Sequence, residues 1–270
     1  MTPSPPKVRI NHLRQWKKDG RRIVMVTAHD TVSASVAEEA GVDVILVGDS
    51  LGMTHLGYRD TIRVTVEEML HHCRAVARGA RVPLLVGDMP FMSYKISREQ
   101  ALDNAARFIQ DGRMEAVKVE GATPAMIEIV HAIVEAGIPV MAHIGLTPQS
   151  VHLLSGFKVQ GKHPEEIERL RHDARALEEA GAFSIVVEAV PEAIGQLITA
   201  EVGIPTIGIG AGRFTDGQVL VYADLLGITP GEPFRFVKQY KQLRRDMIEG
   251  VRAYAEDVRA GRFPDKEHSY

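Results

Sequence analysis

The sequence contains one cysteine, one tryptophan and no long apolar run. Cys73 has no partner for an intrachain disulfide, which is typical of proteins in a reducing compartment. No stretch approaches the roughly 20 apolar residues that a membrane-spanning helix needs. Residues 1–7 are rich in proline and lack the apolar segment of a signal peptide. We therefore expect a cytoplasmic protein with a flexible leader over residues 1–10.

A strong excess of one charge is also missing. The 270 residues include 32 lysines and arginines against 35 aspartates and glutamates, which gives a net charge of -3. This balance gives no electrostatic reason to expect a nucleic acid or an anionic membrane as a partner. The hydrophobic content of 45% is ordinary for a globular protein with a full core. We therefore expect small-molecule substrates as its partners.

Four short apolar runs each end in an acidic residue, at Asp49, Asp88, Glu120 and Glu188. Continuous apolar runs of this length are typical of parallel strands that are buried on both faces. A carboxylate at the end of such a strand is costly if that end is dry. We therefore expect the four strand ends to face one wet cleft in which the carboxylates converge.

Strand and helix patterns alternate without a repeat or a break in composition, which favours one α/β domain over residues 11–270. Seven strand patterns can be placed, and we predict closure into a (β/α)8 TIM barrel rather than an open sheet. The eighth strand must lie within residues 218–228. The long loop over residues 144–163 is a candidate lid. The apolar stripe on the last helix, about residues 237–258, is expected in the core or in a subunit contact.

The strand-end acids and a nearby lysine indicate a reaction site. In a TIM barrel the carboxyl ends of the strands form the rim that carries the chemistry. Lys118 and Glu120 are two positions apart on one strand, so their side chains point to the same face. Gathered carboxylates repel one another unless a cation joins them, and oxygen ligands of this kind suit Mg²⁺. The lysine among them would bind the carboxylate of a substrate.

Other interpretations of the single residues stay open at this point. Asp49 or Asp88 alone could equally cap the helix that follows, and Glu120 could be a solvated loop acid. His143, which ends the fifth strand, could contact a substrate or satisfy a hydrogen bond in the core. The recurrence of acids at four strand ends, one of them beside Lys118, favours the shared site.

Several segments, in this order, resemble the ketopantoate hydroxymethyltransferase family. They are VGDSLG at residues 47–52, DMPFM at 88–92, VKVEG at 117–121, HIGLTPQS at 143–150, VQG at 159–161, Glu188, and IGIGAG at 207–212. The resemblance covers residues 11–270. It implies a Mg²⁺-dependent TIM barrel of the phosphoenolpyruvate/pyruvate-binding type, and a homo-oligomer that is commonly a decamer.

The resemblance also implies a reaction and a set of site residues. The family transfers a hydroxymethyl group from 5,10-methylenetetrahydrofolate to 3-methyl-2-oxobutanoate, which gives 2-dehydropantoate (ketopantoate) for pantothenate biosynthesis. The residues that match its metal positions, directly or through water, are Asp49, Asp88 and Glu120. The residues that match its 2-oxoacid contacts are Asp49, Ser50, Asp88 and Lys118. Glu188 matches its proposed general base, and we add His143 to the expected substrate contacts because of its strand-end position.

Two other functions are compatible with the same barrel. A lyase or mutase of the isocitrate-lyase kind acts on related 2-oxoacids, but those enzymes carry a cysteine in an active-site loop, whereas Cys73 lies in a helical pattern. A non-catalytic barrel that only binds a metal and an oxoacid would not need a spare acid such as Glu188 beside Lys118. We therefore predict an enzyme, a one-carbon transferase.

Overall fold

The computed structural model describes residues 6–270, which fall into two compact units, one ending at Val221 and one spanning Tyr222–Tyr270. The first unit is built around eight parallel strands. They are β1 Ile23–Thr27, β2 Val44–Val47, β3 Leu84–Asp88, β4 Ala116–Glu120, β5 Val140–Gly145, β6 Ser184–Glu188, β7 Thr206–Ile209 and β8 Gly217–Leu220. Strands adjacent in the chain are paired, and β8 pairs with β1, so the sheet closes. The predicted (β/α)8 TIM barrel is confirmed, while the single domain over residues 11–270 stays a prediction.

Helices precede the first strand and follow most of the others. They are α1 Ile10–Lys18, α2 Thr31–Glu39, α3 Leu51–Thr54, α4 Val66–Gly79, α5 Arg98–Gln110, α6 Pro124–Glu135, α7 Pro164–Glu179 and α8 Glu192–Glu201. Several begin at a polar residue whose side chain accepts a hydrogen bond from the first turn, as Thr65 and Ser97 do. Proline opens α6 and α7, where its missing N–H costs nothing. Within residues 6–270, none of the helices combines the length and the apolar content needed to cross a membrane.

The last strand is defined by a close approach of backbones rather than by an apolar pattern. β8 begins at Gly217, one residue before the predicted interval of residues 218–228. A Cβ atom at Gly217 would lie 2.5 Å from the carbonyl oxygen of Ile23, so the pairing with β1 requires glycine here. The described chain between β7 and β8 contains no helix, which explains why the alternating pattern fails at this point.

The interior of the barrel is apolar at the end where the strands begin. Alternate residues of a strand point to one face, and the core formed in this way contains Ile23, Met25, Val44, Leu46, Leu84, Val86, Ala116, Met141, Val186, Ile207 and Val219. Leu13 of α1 and Val8 belong to the same cluster, and Leu13 is fully buried. These two residues close the end of the barrel at which the strands begin.

The second half of the predicted flexible leader, residues 1–10, is packed against the barrel. Residues 1–5 lie outside the described part of the chain. Val8 is buried, and its N–H donates to the carbonyl oxygen of Val82 at 2.8 Å. Lys7 forms an ion pair of 2.6 Å with Glu115. The apolar contact of Val8 fixes this segment, which a composition rich in proline did not indicate.

The second unit contains α9 Tyr222–Leu225 and α10 Leu243–Arg259. The last helix begins at Leu243 rather than near residue 237, because the N–H groups of Tyr240 and Leu243 donate to the carbonyl oxygens of Leu225 and Leu226. No residue of α10 is buried, and its apolar stripe, which includes Val251, is exposed. The stripe is therefore not part of a core, and its use as a subunit contact stays a prediction.

Candidate functional site

The acidic strand ends meet at one end of the barrel because of the alternation along each strand. On β3, Val86 lies in the core, and Asp88 follows two positions later on the same face. On β4, Ala116 lies in the core and is followed on its face by Lys118 and Glu120. The register places Asp88 next to Lys118. β3 and β4 thus change from an apolar to a charged side chain as they reach this end.

Lys118 joins two of these acids. Its Nζ donates to both carboxylate oxygens of Asp88, at 2.7 and 2.8 Å, and lies 3.5 Å from Glu120 Oε1. The backbone N–H of Asp49 donates to Asp88 Oδ2 at 3.3 Å. All four side chains are buried. The residues brought together in this cluster, which we call the carboxylate cluster, are Asp49, Asp88, Lys118 and Glu120.

His143 lies between the carboxylate cluster and Glu188. Its Nδ1 is 3.3 Å from Glu120 Oε1, and its Nε2 is 3.2 Å from Glu188 Oε2. Burial and Lys118 act to lower the pKa of His143, but the charge of Glu120 and the contacts with both acids raise it to about 9. Within residues 6–270, neither ring nitrogen meets an acceptor at hydrogen-bonding angles. Attraction between charges, rather than a core hydrogen bond, therefore holds the ring here.

The acids of this site outnumber its cations, and Asp49 shows the effect. Burial and the charges of Asp88 and Glu120 raise the pKa of Asp49 well above its usual range. Burial also acts to raise the pKa of Glu120, but Lys118 and His143 lower it to about 2. Among residues 6–270, the ion pairs of the cluster reach Asp88 and Glu120 but not Asp49. Asp49 is therefore the acid of the cluster that forms no ion pair within the described residues, although the charge of Lys118 acts to lower its pKa.

Two residues that sequence reasoning missed, Gln149 and Tyr94, hold the acids in place. Gln149 Nε2 donates to Asp49 Oδ2 and to the carbonyl oxygen of Met89, each at 2.9 Å. Its backbone N–H donates to Glu120 Oε2 at 3.0 Å. The Tyr94 hydroxyl donates to Gln149 Oε1 at 2.7 Å and accepts from the backbone N–H of Glu120 at 3.0 Å. The motif at residues 143–150 contains Gln149 but gives no signal for this role.

The predicted lid, residues 144–163, is attached at both of its ends. Gln149 holds the first part to the carboxylate cluster, and the N–H of Gln160 donates to the carbonyl oxygen of Ala189 at 2.9 Å. Between these points the chain is open to solvent, and Leu153 is 86% exposed. Any closure of this loop, which stays a prediction, would therefore involve the middle of the segment.

Ser50 lies next to the carboxylate cluster in the sequence, because it directly follows Asp49. It occupies the position before α3 and is half-buried. A Cβ atom on Gly48 would lie 3.1 Å from Ser50 Oγ, so the hydroxyl folds back over the end of β2. Ser50 thus lies at the end of β2 from which Asp49 follows.

The carboxylates of this site fit a hard divalent cation for which side chains supply only some of the ligands. Within residues 6–270, no group of three or more His, Cys, Asp or Glu side chains is arranged to hold a metal ion by itself. Mg²⁺ is usually bound through one or two carboxylates, with waters and substrate oxygens as its other ligands. Burial first, and then the charges of Asp88 and Glu120, raise the pKa of Asp49, and a bound cation would oppose both effects by favouring the ionised carboxylate. Asp49, Asp88 and Glu120 would therefore supply the carboxylate ligands of Mg²⁺, and waters and substrate oxygens would complete its coordination.

The chain matches the family model for ketopantoate hydroxymethyltransferase over residues 7–266. The 3-methyl-2-oxobutanoate hydroxymethyltransferase of Thermoanaerobacter sp. (strain X514) is 52% identical over 264 residues, which cover 98% of this chain and 96% of that relative. The relative of the same name from Geobacillus kaustophilus (strain HTA426) is 52% identical over 254 residues, with coverages of 94% and 91%.

Solved structures share the fold at low sequence identity. A 2,3-dimethylmalate lyase, described as a PEP mutase/isocitrate lyase superfamily member, has a TM-score of 0.63 and 17% identity, and the match covers 98% of this chain and 93% of that one. A phosphonopyruvate hydrolase has a TM-score of 0.63 and 15% identity, with coverages of 96% and 90%. At these identities the likeness concerns the fold alone.

Proposed function

The chain belongs to the ketopantoate hydroxymethyltransferase family, and on that premise we propose how this enzyme works. It takes the hydroxymethyl group from 5,10-methylenetetrahydrofolate, transfers it to 3-methyl-2-oxobutanoate and thereby forms 2-dehydropantoate. The observation that carries the proposal is the arrangement of charges. A buried lysine is held by carboxylates, and a separate acid, Glu188, lies across His143 from them.

Lys118 and Ser50 are the groups we assign to the 2-oxoacid. The two hydrogen bonds that Lys118 donates to Asp88 fix its ammonium, so its charge has a defined position for a substrate carboxylate or keto oxygen. Ser50, directly after Asp49, would donate a hydrogen bond from its hydroxyl to the same anion. Asp49 and Asp88 would be the protein's other contacts with the oxoacid.

Asp49, Asp88 and Glu120 are the groups we assign to Mg²⁺. When bound through Asp49, Asp88 and Glu120, directly or through water, Mg²⁺ would supply a Lewis acid that favours the enolate form of the 2-oxoacid. The two hydrogen bonds that Gln149 gives to Asp49 and Glu120 would keep those carboxylates in their positions for this task.

Glu188 is the group we assign as the general base. Its carboxylate is held by His143 on one side, while 14% of its side chain stays exposed, so it can reach a substrate carbon without joining the carboxylate cluster. It would take the C3 proton of 3-methyl-2-oxobutanoate. The carbon would then attack the methylene carbon of the folate donor, and water would supply the hydroxyl oxygen as tetrahydrofolate leaves.

Proton exchange tests this assignment without the folate. 3-Methyl-2-oxobutanoate is incubated with the protein and Mg²⁺ in D₂O, and loss of the C3 proton is followed by NMR. We expect exchange in the wild type, none in Asp88→Ala, and a rate lower by about 10² or more in Glu188→Gln. Glu192→Gln, at the exposed start of α8, is the matched control and should exchange normally. Tight binding of the oxoacid without exchange would instead favour a non-catalytic barrel.

A lyase of the isocitrate-lyase kind is the other enzyme that the fold could carry. The only cysteine, Cys73, is buried in α4, and this burial raises the pKa of its thiol. A buried neutral thiol is a poor acid or nucleophile, so the observation favours the transferase. Cleavage of a larger acid into glyoxylate would reverse that preference.

We also propose a cytoplasmic homo-oligomer, with a decamer as the expected size. The support is the apolar stripe of α10, in which Met247, Val251 and Tyr254 are 56%, 68% and 58% exposed. A stripe of this kind usually marks a contact surface. Light scattering of the wild type and of Val251→Glu tests the proposal, because the charge should reduce the assembled mass.

A further inference from the structure

Lys118 of the carboxylate cluster and His143 beside it are already engaged by acids of the protein. Lys118 donates to both oxygens of Asp88, and His143 lies between Glu120 and Glu188. A carboxylate that enters the site must therefore compete with fixed carboxylates for these two positive charges. A further cation that has no acidic partner would bind an incoming anion without this competition.

Lys95 is such a cation. It lies in the loop after β3 and is half-buried. Its Nζ is 5.1 Å from the ring centroid of Tyr94 and 5.9 Å from that of Phe91. Within residues 6–270, no carboxylate lies within the 4.0 Å of an ion pair to this ammonium. Aromatic faces favour the charge, but they leave its N–H donors for another acceptor.

The surroundings of Lys95 connect it to the carboxylate cluster. Tyr94, whose ring faces the ammonium, reaches Gln149 and the backbone of Glu120 with its hydroxyl. Burial lowers the pKa of Lys95, the charges of Glu120 and Asp49 raise it, and Lys118 lowers it. The ammonium thus lies within the field of the cluster without touching it. Lys95 is half-buried whereas the cluster is buried, so its ammonium is more accessible to solvent than the cluster.

We propose that Lys95 binds a substrate carboxylate at the entrance to the site through an ammonium–carboxylate ion pair. The inference rests on the proposed function, because both of its substrates carry carboxylates. In 3-methyl-2-oxobutanoate the carboxylate is next to the keto group, and in the folate donor it belongs to the glutamyl tail. In either case Lys95 binds and orients a substrate and takes no part in the proton transfers.

Two kinetic arms distinguish these carboxylates, with Lys95→Gln and Lys95→Arg as the variants. The first arm is proton exchange into D₂O without folate, in which only the oxoacid can respond. The second is hydroxymethyl transfer with either 5,10-methylenetetrahydrofolate or the corresponding tetrahydropteroate, which lacks the glutamate. A loss of one charged contact should raise the affected KM by about tenfold, and Lys95→Arg should restore most of it.

The outcomes separate clearly. A raised oxoacid KM in the exchange arm supports contact with the 2-oxoacid. A raised KM for the glutamylated donor, with an unchanged KM for the pteroate form, supports contact with the glutamyl tail. KM values within about twofold of wild type in both arms overturn the proposal. Lys238→Gln is the matched control, because Lys238 Nζ also faces a tyrosine ring, that of Tyr240 at 4.7 Å. If the wild type itself neither exchanges nor transfers, the proposed function has failed instead.

Discussion

The two ends of the barrel interior are filled in opposite ways, although the same strands line both. Where the strands begin, Ile23 and Leu84 pack with Leu13 of α1 in an apolar cluster. Where the strands end, Asp88 and Lys118 are equally buried but charged. On β3 the change from an apolar to a charged side chain occurs within two residues. The backbone is therefore the same scaffold at both ends, and only the side chains differ.

The two ends of the barrel contribute differently to the stability of the fold. Apolar side chains need only volume to pack, and their burial stabilises the fold directly. Buried charges lose hydration and stabilise little, even when they are paired. Within residues 6–270, Asp49 forms no ion pair, and burial and the neighbouring acids raise its pKa, so the charged end is not arranged for the greatest stability of the chain. We infer that one end stabilises the barrel, while the other is held ready for ligands.

Replacing Lys118 with methionine should have the largest effect. The change leaves Asp88 and Glu120 buried without their shared cation, which should lower the free energy of unfolding by about 3–5 kcal/mol. The proton-exchange rate should fall by about 10²–10³, because the charge that faces the substrate anion is lost. Urea unfolding at pH 7 in EDTA measures the first effect, and NMR exchange the second.

The matched control is Met141→Leu, in the apolar part of the same interior. A swap of similar volume should cost less than about 1.5 kcal/mol and leave the exchange rate unchanged. If Lys118→Met were as stable as this control, the charged end would not depend on ion pairing, and the contrast between the two ends would be lost.

Leu13→Ala tests the apolar end and should have the next largest effect. Leu13 is fully buried, so the truncation should lower the free energy of unfolding by about 2–5 kcal/mol. The KM values for both substrates should not change, because Leu13 is at the opposite end from the carboxylate cluster. Urea unfolding and steady-state kinetics well below the melting temperature check both parts. A changed KM would show that the two ends are coupled.

The sequence predicted the barrel and the convergence of the acids because both follow from repeating local patterns. An apolar run that stops at Asp88 or Glu120 marks the strand and its end, and parallel strands in a closed sheet bring their ends together. β8 was poorly defined because its pairing depends on Gly217 meeting β1, which is a contact between distant parts of the chain.

Residues on irregular loops could not be predicted in this way. Tyr94, Lys95 and Gln149 follow no period, and their positions depend on contacts between separate strand ends. Val8 was assigned to a leader because composition does not reveal a single apolar contact. The convergence of strand ends can therefore be inferred from the sequence, whereas the groups that hold and surround the acids require the structure.

Tyr94→Phe should have a moderate effect at the charged end. It keeps the ring but removes the hydroxyl that Gln149 and the backbone of Glu120 use. Loss of this buried contact should lower the free energy of unfolding by about 1–3 kcal/mol. The apparent Kd for Mg²⁺, measured by calorimetry, should rise because Gln149 no longer holds the acids firmly. Tyr254→Phe, which is 58% exposed, should change the stability by less than about 0.5 kcal/mol. Unchanged Mg²⁺ binding in Tyr94→Phe would mean that Gln149 does not need this support.

The smallest expected effect is on the pH dependence of stability. It comes from His29, which lies just beyond β1 at the same end of the barrel. Burial, His55 and His72 lower the pKa of His29 from 6.5 to about 4, although Asp30 acts to raise it. Between these pH values the unfolded chain binds more protons, so stability should fall as the pH falls from 6.5 through 4. Allowing for partial exposure, we expect on the order of 1 kcal/mol. His29→Gln should remove that part of the pH dependence in urea unfolding at pH 7, 5.5 and 4.5, whereas the exposed control His131→Gln should retain it. Equal pH dependence in both variants would show that His29 gains no stability from staying neutral.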